Sequence, residues 1–335
     1  MMRLPTPFQK TGVNVLFTAY AAGAACAAYS AAYAADAIRD YPLRPVRIVS
    51  GFPAGGSSDF LARVLAPKLS ERMGQNFIVE NRPGAGGAIG ANHVAKATPD
   101  GHTLLFISGA FTAHAATVKT PYDPLKDFDW ITTIVTYPMV LVVRNEFPAR
   151  SVADLVAVAK KNPGKLNYGS VGVGSVFHLA AELFNSMAGT DMLHIPYKGS
   201  SEPLTEMIGG RLDLMFMTLT GASPHIRAKR IRAVAVTSTE RATQMPELPL
   251  VSQMLTGYDV TSFAGMGVTG GSPKPVIAKL NRELRTVMAA SDVIKQFNDA
   301  GGDMRPGSPE EMTRHVAGEI AKWRRVVKER KIEVK

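Results

Sequence analysis

The sequence predicts an α/β protein, on three observations. Apolar runs of strand length alternate with stretches of helical spacing from residue 46 to residue 238, the junctions between them are rich in glycine and hydroxyl residues, and two amphipathic stretches close the chain. Strands separated by single helices form parallel sheets with right-handed crossovers.

Four early segments read as strands: VRIVSG (46–51), NFIVEN (76–81), HTLLFIS (102–108) and MVLVVRN (139–145). Each is short, apolar and bounded by turn residues. Helical spacing lies between the first three, at 59–73 and at 87–97, the latter opened by PGAGGAIG. A second round follows: helix 151–161, strand LNYGS (166–170), helix 175–188, strand MLHIPY (192–197), helix 201–209, strand LDLMFM (212–217), a helix near 222–229 and strand IRAVAVTS (231–238).

After SFAGMGVTG (262–270) come GSPKPVIAKLNRELRTVMAA and SPEEMTRHVAGEIAKWRRVV, two helical stretches. The second has Ser308 as its expected N-cap, Pro309 at the first helical position, and Glu310 and Glu311 complementing the helix dipole. Helices without a sheet of their own pack on an existing one. The expected host is the N-terminal domain, which makes it discontinuous: one lobe from 35–140 plus 262–335, the other from 141–261. The chain then crosses between lobes twice, near 140–144 and near 258–264, giving a hinge and a cleft.

Residues 1–34 carry Arg3 and Lys10, no acid, an apolar stretch from Val13, and small residues at Ala32 and Ala34. That pattern is a secretory signal cleaved after Ala34. A membrane anchor and a lipoprotein signal using Cys26 are the rival readings. Cleavage removes the sole cysteine, which closes disulfide, Cys₂His₂ and cysteine-nucleophile chemistry. Removing two basic residues from 38 leaves 36 Lys+Arg against 28 Asp+Glu, a surplus of eight. These charges are dispersed, and the densest cluster, KWRRVVKERK (322–331), shares its helix with Glu319 and Glu329. A solvated helix face explains it, and no nucleic-acid partner is expected. In an exported protein a mild positive surplus suits attraction of small anions to a cleft.

The glycine-rich turns exclude several chemistries. Gly55-Gly56 is followed by Ser57-Ser58-Asp59 with no lysine, so GFPAGGSSDF (51–60) is not an ATP-binding phosphate loop. Gly84-Gly86 and Gly172-Gly174 are followed at the third position by Ile89 and Phe177, so neither completes a dinucleotide fingerprint. G-x-S-x-G and H-E-x-x-H are both absent, and no cofactor or metal is expected.

Four turns remain, each placing small residues at the carboxyl end of a strand, where open α/β sheets bind ligands. They are GFPAGGSSDF, SGA (108–110), GSVGVGSVFH (169–178) and PYKGSSEP (196–203). In three of them a helix starts at once, aiming free N–H groups and the positive dipole end into the cleft, which suits a carboxylate. Ser57, Ser58 and Asp59 read equally as helix caps, Ser175 as an N-cap, His178 as a packed residue and Lys198 as a solvated lysine. PGAGGAIG reads as structural, its glycines allowing close helix–strand packing.

YPLRPVRIV, GFPAGGSSD, VENRPGAGGAIGANHVAKATPDGHTLL, YDPLKDF, KLNYGSVGVGSVFHLAAELF, IPYKGS, IGGRLDLMF and SPEEM…EIAKW are similar, in order and spacing, to the Bug (Bordetella uptake gene) family, the periplasmic solute-binding receptors of tripartite tricarboxylate transporters. The likeness runs from about Tyr41 to the last helix. It implies a type II periplasmic-binding-protein fold, two α/β lobes on a two-crossing hinge, closing on a small organic acid without turnover. Carried over, first-lobe contacts fall on Phe52, Pro53, Ala54, Gly56, Ser57, Ser58 and Asp59, with Ser108 and Gly109 behind. Second-lobe contacts fall on Gly172, Gly174, Ser175, His178, Tyr197 and Lys198, with Thr218 and Phe263 beside them.

Family members often carry Asp-Asn or Asp-Thr where this chain has Met217-Thr218, and Trp where it has Phe263, so the pocket reads as more apolar and suited to an aromatic or long-chain acid rather than citrate. Ser58 replaces the usual Thr and keeps the hydroxyl. Pro67 falls inside the first helix and is expected to kink it. The implied partners are the membrane permease subunits of such a transporter, engaged by a monomer in the periplasm. A sensor docking to a membrane signalling protein shares every one of these features, and a secreted hydrolase would rest on Ser175 with His178.

Overall fold

The computed structural model describes residues 40–199 and 201–334. The expected signal segment and Cys26 lie outside them. Residues 44–335 form one compact unit, described below.

The first strands and helices alternate as expected through β1 (Val46–Ser50), α1 (Ser57–Met73), β2 (Phe77–Asn81), α2 (Ala88–Ala95) and β3 (Thr103–Ser108), and a further helix that the sequence pattern does not indicate, α3 (Gly109–Thr117), follows. Then comes β4 (Phe128–Arg144), followed by α4 (Val152–Lys161), β5 (Asn167–Ser170), α5 (Val176–Ala188), β6 (Leu193–Pro196), α6 (Ser201–Ile208), β7 (Leu214–Thr218), α7 (Leu219–Arg227) and β8 (Ile231–Val236). The chain closes with β9 (Thr261–Thr269), α8 (Lys274–Met288), α9 (Ser291–Asp299), β10 (Asp303–Met304) and α10 (Pro309–Glu329). Helix α1 runs unbroken through Pro67, which leaves the Arg63 carbonyl without its i+4 donor.

Strand pairing falls into two groups that share β4. In the first, β1 pairs in parallel with β2 and β3, and β9 lies antiparallel between β3 and β4. In the second, β7 and β8 pair antiparallel with β4, while β5 pairs in parallel with β6 and β7. The sheets are therefore mixed rather than parallel throughout, because β9 returns from the second group and enters the first from the opposite end.

This topology locates the ligand site. Strand β4 runs out of the first group into the second: Phe128–Pro138 pair with β9, and Met139–Arg144 pair with β7 and β8. Strands β1 and β3 share its direction, and β5 to β8 oppose it. The carboxyl ends of the two groups therefore face each other.

Sequence periodicity located only the second half of β4. Its first half is interrupted by register shifts after Trp130 and Thr133, and Pro138, which has no N–H to give, stands where the strand changes partners. Helix α9 also went unpredicted, being only 9 residues long.

Each group has its own core. Val49, Leu105, Ile107, Phe128 and Trp130 cluster in the first, and Leu141, Tyr168, Phe184, Phe216 and Tyr258 in the second. Around Phe111 the rings of Tyr122, Phe128 and Trp130 pack at centroid separations of 5.5–5.8 Å, favourable stacked and edge-on arrangements.

Helix α10, in the tail assigned to the first lobe, reaches both cores. Met312, Val316 and Ile320 enter the first core, while Trp323 and Val326 enter the second. At 1.5 Å per residue its 21 residues extend ~31 Å, enough to reach both. Its start is a capping box: Ser308 Oγ accepts from the Glu311 amide, and the Ser308 amide donates to Glu311 Oε2 at 2.7 Å.

Candidate functional site

Four helices begin at the facing strand ends: α1 and α3 from the first group, α5 and α7 from the second. The two sides differ in how their first N–H groups are satisfied. Helix α1 has Gly56 as N-cap and α3 has Ser108, and neither receives a side-chain cap. Helix α5 is capped by Ser175 Oγ, which accepts from the His178 amide at 3.3 Å, and α7 by Thr218 Oγ1, which accepts from the Gly221 amide at 3.4 Å. Helix N-termini thus point in from both sides, but the uncapped donors are concentrated on the α1 and α3 side.

Between them lies a cavity of about 520 Å³. Its walls include Phe52, Pro53, Gly56, Ser57, Ser58, Ser108, Ser175, Thr218 and Phe263, all expected from the sequence. The sequence reading missed Leu61 and Ala110 on the first side, Val171, Val176, Phe177, Thr220 and Gly221 on the second, Tyr137, Ser262 and Ala264 on the crossing strands, and Ala300. Val176 and Phe177 carried a readable signal, since they follow an N-cap serine and so occupy the first helical turn. Tyr137 and Ser262 carried none, because they meet only through the β4–β9 register, where they stand opposite each other.

Asp59 lies outside this lining. Its buried carboxylate accepts from Arg63 Nε and from the Gly55 amide, both at 2.9 Å. The Arg63 hydrogen bond dominates and holds its pKa down to about 2. Asn81 completes the brace by donating to the Phe52 carbonyl at 3.1 Å. Asp59 thus fixes the 52–56 turn from behind. PGAGG serves the same turn: a Cβ on Gly51 would fall 2.6 Å from Gly87 Cα, and one on Gly90 would fall 3.0 Å from Gly51 Cα, so side chains at either position would push the segments apart.

In the second group, Gly172 and Gly174 have positive φ (125° and 78°) and shape the turn before α5. Ser175 Oγ donates to the Gly172 carbonyl at 2.7 Å, and the Gly174 amide donates to His178 Nδ1 at 3.0 Å. His178 is buried and stacks on His194, whose Nε2 lies 2.6 Å from Ser170 Oγ. Burial lowers the pKa of both histidines to about 4. Ser175 and His178 thus bond to backbone rather than forming a nucleophile–base pair, and Ser170 is fully buried.

The other expected contacts lie off the cavity wall. Ala54 and Lys198 are exposed, and the half-buried Tyr197 packs in the core beneath β7. Gly109 stands just behind: a Cβ there would meet Ser262 Oγ at 3.5 Å and Val176 Cγ2 at 3.7 Å. Among the described residues no group of three or more His, Cys, Asp or Glu could hold a metal ion, and no helix is long and apolar enough to cross a membrane.

Two α/β strand groups whose carboxyl ends oppose each other across a ligand-sized cavity define the two-lobed periplasmic binding proteins. Residues 61–332 match the tripartite tricarboxylate transporter family receptor, TctC, and the chain belongs to that family of periplasmic receptors. A Pseudomonas protein encoded in the tcbD-tcbE intergenic region is 36% identical over 311 residues, 92% of this chain and 93% of that one. BugT of Bordetella pertussis is 34% identical over 296 residues, covering 86% of this chain and 90% of its own. An R. palustris protein solved with adipate is 35% identical with a TM-score of 0.73, covering 88% of this chain and 99% of that one. The matched family is one of receptors, and a solved periplasmic binding protein, BugD, is 32% identical with a TM-score of 0.70, covering 88% of this chain and 100% of its own.

Proposed function

We propose that this chain captures a small organic carboxylate in the cavity and delivers it to the membrane subunits of a tripartite tricarboxylate-type transporter. The observation that carries the reading is the convergence of α1 and α3, two helix starts without side-chain caps, on one wall of the cavity. Hydrogen bonds to a charged group contribute roughly 1.5–3 kcal/mol each, and micromolar affinity needs about 8 kcal/mol. Four or so amide and hydroxyl donors from Ser57, Ser58, Ser108 and Ala110, at the two uncapped helix starts, supply that without an arginine.

In this reading residues 1–34 export the chain to the periplasm, where it acts as a monomer. Lobe 1 is 35–140 plus 262–335, lobe 2 is 141–261, and they close about the stretch where Pro138 and Thr261 stand opposite each other. The R. palustris relative solved with adipate supports the carboxylate class. A thermal-shift screen of carboxylic acids tests it: an acid at 100 times its dissociation constant raises stability by about 2.7 kcal/mol. The reading fails if no acid in the panel stabilises the protein. Delivery is tested separately, by uptake of the bound acid in cells with and without the permease subunits.

A further inference from the structure

Helix α10 bridges the two strand groups alongside β4 and β9. Met312, Val316 and Ile320 are buried in the first core and Trp323 and Val326 in the second, all at 1% exposure or less. The two strands cross between groups at one level, where Pro138 of β4 stands opposite Thr261 of β9. The helix is tied to the chain on both sides of that level. His315 packs edge-on against the Phe263 ring, past the crossing, at a centroid separation of 4.4 Å, and Lys322 Nζ donates to the Asp259 carbonyl, before it, at 2.9 Å.

A straight helix fixed in two cores opposes rotation of one against the other. Opening must either draw Trp323 and Val326 out of the second core, exposing apolar surface, or bend the helix between its two anchorages. Gly318 lies between them, three residues after His315 and four before Lys322. It is exposed in the interior of an unbroken helix, and a Cβ added to it would meet nothing within 4 Å. Gly90 in α2, by contrast, is required by the closeness of Gly51. With no steric reason for glycine at 318, the position gives up about twofold to fivefold in the folding equilibrium against alanine. What it gains is local backbone freedom at the level of the strand crossing.

We propose that α10 is a third crossing of the hinge and that Gly318 is its bend point, letting the half that carries Trp323 turn with the second lobe while the half that carries Met312 stays with the first. This rests on the reading that the lobes move about the Pro138–Thr261 crossing, and adds the helix to it.

Double electron–electron resonance on the ligand-free chain tests it. Cys26→Ser removes the sole cysteine, and spin labels on Ala54→Cys and Lys198→Cys, exposed on turns of the first and second groups, report the distance between lobes. This parent is expected to show a spread of distances wider than the label linkers give. Gly318→Ala is expected to raise the urea midpoint and to cut the population away from the main distance about twofold to fivefold, the conformational freedom removed from one residue. Adding Ala321→Gly, at an exposed position between Ile320 and Trp323, is expected to restore the spread. An unchanged distribution in Gly318→Ala, a lowered urea midpoint, or a narrowing that Ala321→Gly leaves in place overturns the inference and leaves the strand hinge standing. A parent with one fixed distance overturns lobe movement and the inference together, while carboxylate capture is read separately by thermal shift.

Discussion

His178 and His194 stack face to face, with ring centroids 3.9 Å apart and planes 13° from parallel, directly beneath the turn that presents Ser175 to the cavity. Two charged rings would repel each other at that distance. Tyr168 stacks on His194 at 5.0 Å, and its hydroxyl donates to Glu182 at 2.6 Å, so the pair sits in a closed polar network of the second core.

Acid is expected to weaken this protein through that pair. Burial lowers both folded-state pKa values to about 4, against about 6.5 in the unfolded chain. Between those limits the unfolded state binds more protons, so stability rises with pH across the window and is lost on acidification from pH 6.5 toward 4. One histidine shifted this far accounts for about 3 kcal/mol at most, and the two shifts do not add, because the rings titrate against each other. Urea unfolding at pH 7 and pH 4.5 measures the loss, and His178→Asn should flatten it. Asp59 acts in the same direction only lower, as pH falls from 3.8 toward 2.

Ser57→Pro separates the helix-start amides from their side chains. Ser57 is the first residue of α1, where proline is tolerated, and Gly56 before it is extended (φ −79°, ψ 170°), the conformation a following proline requires. The variant should fold with undiminished stability yet bind carboxylates about tenfold more weakly than Ser57→Ala, having lost one amide donor to a charged group. Equal affinities for the two variants, read by calorimetry, would remove α1 from the site.

Gly51→Ala should damage stability and binding together. The added methyl would fall 2.6 Å from Gly87 Cα and 2.7 Å from Gly87 O, backbone atoms that cannot rotate aside. Overpacking of this kind costs about 1–3 kcal/mol, and the displaced 52–56 turn should lose ligand. Denaturant unfolding with a parallel binding curve checks both.

Arg330→Ala tests the clasp of the last helix on the second core. Arg330 Nε donates to Glu182 Oε2 at 2.5 Å, and the Glu182 carboxylate is buried while Arg330 is a quarter exposed. Removing the cation leaves that buried acid held by Tyr168 and Asn185 alone. The expected loss is about 2 kcal/mol, below the full range for a buried pair because water reaches the arginine. Ser186→Ala, which removes only an exposed bond to Glu329, should change stability by less than about 0.5 kcal/mol.

Much of the site was legible because local rules place it. The strand-to-helix turns at 51–58, at 108 and at 170–175 are short-range features, and Ser175 and Ser308 behave as the caps their neighbours require. Asp59, onto which the resemblance carries a ligand contact, lies off the cavity wall, since a first-turn acid looks the same whether it faces the cavity or an arginine at i+4. Tyr197 and Lys198 followed from the specific P-Y-K-G motif, yet motif position does not set which way a side chain turns.

The alternation of strands and helices, the small residues at strand ends and the family resemblance are readable residue by residue, because they rest on interactions within a few positions or on the order of motifs. That β9 inserts antiparallel beside β4, that α10 joins both cores, and that Tyr137 and Ser262 meet on the cavity wall follow from three-dimensional packing. Those outcomes depend on register between segments more than a hundred residues apart, and no local spacing encodes such a register: it is fixed by which apolar faces are buried together.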